Sequence, residues 1–125
     1  MTNPMDWLKQ VFSGQAGGVG PREAEQLIAR GVAAIDVREA NEVAGGMIAQ
    51  AKHVPLGDVD AYGWNALKSA GIPADTRELL VVCRSGMRSQ RAIARLRSER
   101  SDATLINLDG GMIAWCNEGL PTRPG

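Results

Sequence analysis

Cys83 closes the apolar run that begins at Leu79 and opens a short polar loop, Arg84-Ser85-Gly86-Met87-Arg88, with a helix expected from about Ser89 to Arg100. A cysteine so placed has its sulfur at the carboxyl end of a strand and the amino end of a helix. Open α/β sheets bind ligands at that position. Unpaired backbone N–H groups and the helix dipole favour an anion there, whether a thiolate, a persulfide or an oxyanion. The residue types therefore point to a nucleophilic cysteine with its own anion cradle. Arg88 and Arg91 fall in or beside the first helical turn, where cations oppose the dipole at a cost of roughly a few tenths of a kcal/mol each. A local rule broken beside a nucleophile points to a ligand. On that reading Arg84 and Arg88 contact the ligand or the sulfur anion, whereas Arg91 and Arg95 are surface residues.

Cys83-Arg84-Ser85-Gly86-Met87-Arg88 resembles the active-site loop of single-domain rhodaneses, sulfurtransferases that carry sulfur as a cysteine persulfide. Two flanking segments are similar to the same family. Upstream are Ile35-Asp36-Val37-Arg38-Glu39, Glu42, and Gly46 through His53-Val54-Pro55-Leu56; downstream are Leu108-Asp109-Gly110-Gly111, Ala114-Trp115 and Gly119-Leu120-Pro121. Together they cover roughly residues 19 to 122. Met47 and Gln50 depart from the upstream pattern, which often has histidine and glycine there. Related phosphatases and arsenate reductases use a loop one residue longer, closed by an arginine at the sixth position after the cysteine; here that position is Ser89. The smaller ring suits a sulfane sulfur better than a tetrahedral phosphate. Mercaptopyruvate-type loops lack the basic residues seen at Arg84 and Arg88, and two forked guanidiniums suit a small dianion such as thiosulfate.

The resemblance implies double displacement. Cys83 takes the sulfane sulfur from a small anionic donor such as thiosulfate, and the persulfide passes it to a thiol, a protein thiol included, or to cyanide. Arg84, Ser85, Gly86, Met87 and Arg88 form the loop that holds the substrate and the persulfide. Dipole and arginines lower the thiol pKa, so no separate base is needed. The lone histidine, His53, reads as a ring bonded within the turn before Pro55, which leaves a Cys-His hydrolase without its base. Asp36, Arg38 and Glu42 read as a polar network bracing the sheet edge. Cys116 shares a helical face with Met112 and Trp115, which predicts a buried small residue; the alternative is a resolving thiol. For Met87 two roles stay open, an apolar wall over the sulfur or a space filler.

The elements that position this loop alternate between helix and strand. Short apolar runs at Ala33–Val37, His53–Val54, Leu79–Cys83 and Thr104–Leu108 suit parallel strands. Helices are expected at Pro21–Arg30, punctuated by an initial proline and by Gly31 beyond its end, at about Val59–Ser69 despite Gly63, and at Met112–Glu118. The pattern predicts an α/β fold: a rhodanese-like open parallel sheet of about five short strands with helices on both faces.

The 125 residues carry zero formal net charge and two cysteines. That length suits one core of ordinary size. No basic block marks a nucleic-acid surface, no apolar run has membrane-spanning length, and two cysteines make no disulfide framework. The expectation is a cytoplasmic protein with no metal and no cofactor, which binds neither nucleic acid nor membrane. Residues 1–18 read as an amino-terminal extension with one or two helical turns over Met5–Phe12, and residues 19–125 as the domain. A reading of a different class is a rhodanese-like binding or regulatory module, or a redox sensor in which Cys83 is oxidised.

Overall fold

In the computed structural model, which describes residues 18–125, five strands form one parallel sheet. The helical turns expected over Met5–Phe12 lie outside the described residues. In chain order the elements are β1 (Gly18–Val19), α1 (Pro21–Ala29), β2 (Ala33–Asp36), α2 (Ala40–Val43), β3 (Lys52–His53), α3 (Leu56–Tyr62), α4 (Trp64–Ser69), β4 (Glu78–Val82), α5 (Met87–Glu99), β5 (Thr104–Leu108) and α6 (Gly111–Asn117). Across the sheet the order is β1-β5-β4-β2-β3, so β4 lies at the centre. This is the predicted open parallel sheet with helices on both faces. Four of its strands sit where the apolar runs placed them. The fifth, β1, is too short and too rich in glycine nearby to show in a periodicity; it pairs with Asn107 and Leu108 of β5.

The two-residue period of the strands sorts the core into two layers. Leu80 and Val82 of β4 pack with α1, α2 and α6 through Leu27, Val43, Met112 and Trp115. Leu79, Val81 and Cys83 face the other way, against Val59, Trp64, Leu67, Ala92 and Leu96 of α3, α4 and α5. Successive residues of a strand point to opposite faces, so this register puts Cys83 on the α5 side. β5 obeys the same parity. Val81 is in register with Asn107, which places Asn107 on the Cys83 face.

The single helix expected over Val59–Ser69 is two. Gly63, at φ +57°, ends α3 and starts α4. Its missing side chain leaves room for Glu99 of α5, whose carboxylate accepts the Trp64 N–H at 2.9 Å. The break trades helical continuity for a buried tryptophan whose Nε1 donates to Leu96 O at 2.9 Å. Helix α2 is one turn stapled by a capping box between Glu39 and Glu42. Met47 is buried in the core and exchanges backbone hydrogen bonds with Arg123, so the departure from the family pattern there is absorbed by packing.

Candidate functional site

β4 delivers Cys83 to the loop fully buried. Gly86 is at φ +108°, a left-handed conformation that favours glycine. It turns its N–H onto the Cys83 Sγ at 3.0 Å. Helix α5 starts at the next residue, so the sulfur meets the helix's amino end. Ser89 Oγ lies 3.5 Å from the sulfur. Burial pushes the Cys83 thiol up, but the Ser89 hydroxyl and the backbone N–H groups of Ser89, Gly86 and Ser85 outweigh it, and the thiol sits below its ordinary value. The site thus stabilises the thiolate relative to that of an ordinary cysteine, and does so without a neighbouring base.

Ser89 is itself buried, with Gly86 O 3.0 Å away and Asn107 Oδ1 in hydrogen-bond contact. Asn107 Nδ2 in turn donates to Asp109 Oδ1 at 3.2 Å. The serine hydrogen therefore has two carbonyl-type acceptors when Cys83 is a thiol and a third, the sulfur, when it is a thiolate. Sequence reasoning placed neither Ser89 nor Asn107 in the site. The signal for Asn107 was present: one polar residue inside the apolar strand Thr104–Leu108. Ser89→Ala is expected to move the acid limb of the kcat/KM–pH profile upward. The thiolate loses a hydrogen bond that stabilised it, so a larger fraction stays protonated at neutral pH. A loss of about threefold to tenfold at pH 7 that recovers toward pH 9 follows from a hydrogen bond to an ionised group; a profile that drops without shifting would contradict this role.

Arg88 makes no hydrogen bond to the sulfur, although its charge is near enough to interact with Cys83. Its guanidinium forks onto Glu42, with Nη1 2.6 Å from Oε1 and Nη2 2.7 Å from Oε2. The Arg88 donors hold the Glu42 carboxyl down at about 2. Both side chains are half-buried at the loop's edge. Arg38 forks onto Asp36 with contacts of 3.0 and 2.8 Å, and donates to the carbonyls of Gly46 (2.8 Å) and Glu42 (3.4 Å). The Asp36–Arg38–Glu42 network is thus bracing, as expected, and it reaches into the loop through Arg88. His53 Nε2 lies 2.8 Å from Arg38 O, so the ring bonds across to the segment just beyond β2 rather than within its own turn.

Arg84 and Ser85 are exposed, and the Arg84 guanidinium has no hydrogen-bond or ion-pair partner among the described residues. Met87 is 78 % exposed, so it does not fill space in the core. Arg91 pairs with Asp60 at 2.9 Å, and Arg95 reaches Asp60 O and Glu99. Both tie α5 to its own neighbours, away from the loop.

The downstream glycines dock α6 on the loop. Met112 N–H donates to Cys83 O at 2.8 Å and Ile113 N–H to Arg84 O at 3.1 Å. Gly111 sits at φ +56°, and a Cβ there would run into those same carbonyl oxygens. Cys116 is exposed, which corrects the expectation of burial. The buried stripe of this seven-residue helix is Gly111, Met112 and Trp115. One position on, Cys116 turns out of the core and lines an open depression of about 460 Å³ with Arg38, Glu42, Arg84, Met112, Ile113 and Asn117. Among the described residues no cluster of histidine, cysteine and carboxylates could hold a metal ion, and no helix is long and apolar enough to cross a membrane.

The family model for the rhodanese-like domain matches residues 20–118. YtwF of Bacillus subtilis (strain 168) is 41% identical over 87 residues, which are 70% of this chain and 76% of that protein. A sulfurtransferase of Allochromatium vinosum is 37% identical over 87 residues, 70% of this chain and 74% of its own. The crystal structure of a rhodanese-related protein from Thermoplasma volcanium aligns with a TM-score of 0.71 over 86% of this chain and 98% of that one, at 23% identity, a likeness of fold.

Proposed function

The chain belongs to the rhodanese-like domain family, and from that premise we propose that it is a sulfurtransferase working through a persulfide on Cys83. The buried, acidified Cys83 sulfur, held by the Gly86 N–H and facing the Ser89 hydroxyl, is the observation that carries this reading. In the first half-reaction the Cys83 thiolate attacks the sulfane sulfur of a small anionic donor such as thiosulfate. The donor's S–S bond breaks, its electron pair leaves on sulfite, and a persulfide anion stays on Cys83. In the second, a thiol or cyanide attacks the terminal sulfur, and Cys83 leaves as the thiolate. Splitting one transfer into two in this way gives ping-pong kinetics. The loop N–H groups support both anions, since thiolate and persulfide each present negative sulfur to them. Arg84, exposed and unpaired, is the guanidinium placed to meet the donor. The acceptors include a protein thiol, because the depression beside the loop is shallow and open enough for a protruding side chain. A cytoplasmic setting belongs to the same reading, since a reducing compartment keeps Cys83 as a free thiol.

Intact mass after incubating reduced protein with thiosulfate tests this directly. A gain of one sulfur, about 32 mass units as covalent sulfur transfer requires, should appear and be removed by cyanide. No gain from thiosulfate or mercaptopyruvate, with Cys83 shown to be reduced and reactive, would replace the enzyme with a binding or redox-sensing module.

A further inference from the structure

The charges around the loop differ from those the sequence implies. Read along the chain, Arg84 and Arg88 are two cations beside the nucleophile. In the folded molecule Arg88 is neutralised by Glu42 through two short hydrogen bonds, and Glu39, the residue that caps α2, adds a further carboxylate near the Arg88 guanidinium. Arg38 is neutralised by Asp36. Among the described residues of the loop and its braces only the Arg84 side chain remains uncommitted, and it is exposed. A thiosulfate dianion thus approaches a thiolate with one uncommitted, solvated guanidinium to draw it in, while the paired Arg88 and Glu42 carry no net charge between them. A donor with less charge meets less of the thiolate's repulsion, because Coulomb energy scales with the product of the charges.

We infer that Glu42 is a specificity-determining positioning residue, which occupies and neutralises the Arg88 guanidinium that would otherwise fork onto the donor, and so biases the site toward sulfane donors of low negative charge, such as the persulfide monoanion of a thiol, over thiosulfate. The inference rests on the persulfide reading of Cys83 for its chemistry. The favoured first step is then R–S–S⁻ plus the Cys83 thiolate giving R–S⁻ plus the Cys83 persulfide. The Cys83 sulfur bonds to the donor's terminal sulfur, the donor's S–S bond breaks, and the electron pair leaves on the R–S⁻ thiolate, with no outside oxidant or reductant.

Two sulfane anions of similar size and different charge isolate the effect: thiosulfate (dianion) and methanethiosulfonate (monoanion). In Glu42→Gln the carboxylate is gone and Arg88 can fork onto the donor. The kcat/KM for thiosulfate is expected to rise about tenfold, mainly through KM, and that for methanethiosulfonate about threefold, because the attraction unmasked scales with donor charge. Adding Arg88→Gln to Glu42→Gln should cancel the gain. Equilibrium binding of both anions to Cys83→Ser protein, with and without Glu42→Gln, reads the same ratio with no chemistry. Equal changes for the two anions, or a fall for thiosulfate, would reduce Glu42 to a brace and overturn the proposal. Absence of a persulfide mass gain from either donor on wild-type protein would instead defeat the catalytic reading, while the binding ratio still decides the role of Glu42.

Discussion

Cys83→Ser should lower sulfur transfer from thiosulfate to cyanide by about 10⁴-fold or more, the scale of losing a covalent nucleophile, while Cys116→Ser retains most of the activity. The two cysteines are not equivalent. Cys83 is buried with an N–H donor at 3.0 Å and a hydroxyl at 3.5 Å, and its thiol is lowered. Cys116 is exposed on α6. A serine hydroxyl at position 83 keeps the shape and the Gly86 hydrogen bond, but it is a far weaker nucleophile and leaving group, and it forms no persulfide. The fold should survive: a near-isosteric change that can still accept the Gly86 N–H is expected to cost about 1 kcal/mol or less. A thermal melt beside the thiocyanate assay separates the two effects. A Cys83→Ser protein that still turns over while Cys116→Ser does not would transfer the chemistry to the α6 depression.

The loop was legible in the sequence because everything that defines it is local. Four apolar residues, a cysteine, a glycine needing a positive φ and a helix lie in one continuous stretch, and the strand–loop–helix order alone puts sulfur at a helix amino end. What escaped depends on contacts between distant residues. Asn107 reaches Ser89 because β5 lies beside β4 in a register that puts Val81 opposite Asn107. Glu42 meets Arg88 across 46 residues of chain. No periodicity carries such pairings, so Arg88 read as a free cation until the fold supplied its partner. Cys116 went wrong for a related reason. Helical spacing gives a face, but only packing decides how wide the buried stripe is, and here it is too narrow to include that residue. The break at Gly63 was visible as a weak point and not as two helices, because its cause, the Glu99 carboxylate, comes from α5.

The largest stability loss is expected at the buried pair behind the loop. Asp36 is fully buried and Arg38 nearly so, and their side chains make contacts of 2.8 to 3.1 Å. Asp36→Asn leaves the Arg38 guanidinium charged, buried and without its counter-ion, a defect that typically costs about 3–5 kcal/mol. For a domain of this size that corresponds to a fall in Tm of roughly 10–20 °C. Urea unfolding with an unchanged slope checks it; a loss under about 1 kcal/mol would mean that the guanidinium finds water. Replacing both residues, Asp36→Leu with Arg38→Met, should cost less than Asp36→Asn alone, since no lone charge remains. It should not be free, because the Gly46 carbonyl then loses its 2.8 Å donor. The consequence reaches the chemistry. Arg38 ties down the carbonyls of Glu42 and Gly46, on and just beyond α2, and so fixes the turn that carries the Glu42 carboxylate to Arg88. Loosening that turn without touching Glu42 should shift the thiosulfate-to-methanethiosulfonate ratio in the same direction as Glu42→Gln, by a smaller factor. A stability defect that leaves the ratio unchanged would mean that Glu42 holds Arg88 without help from the buried pair.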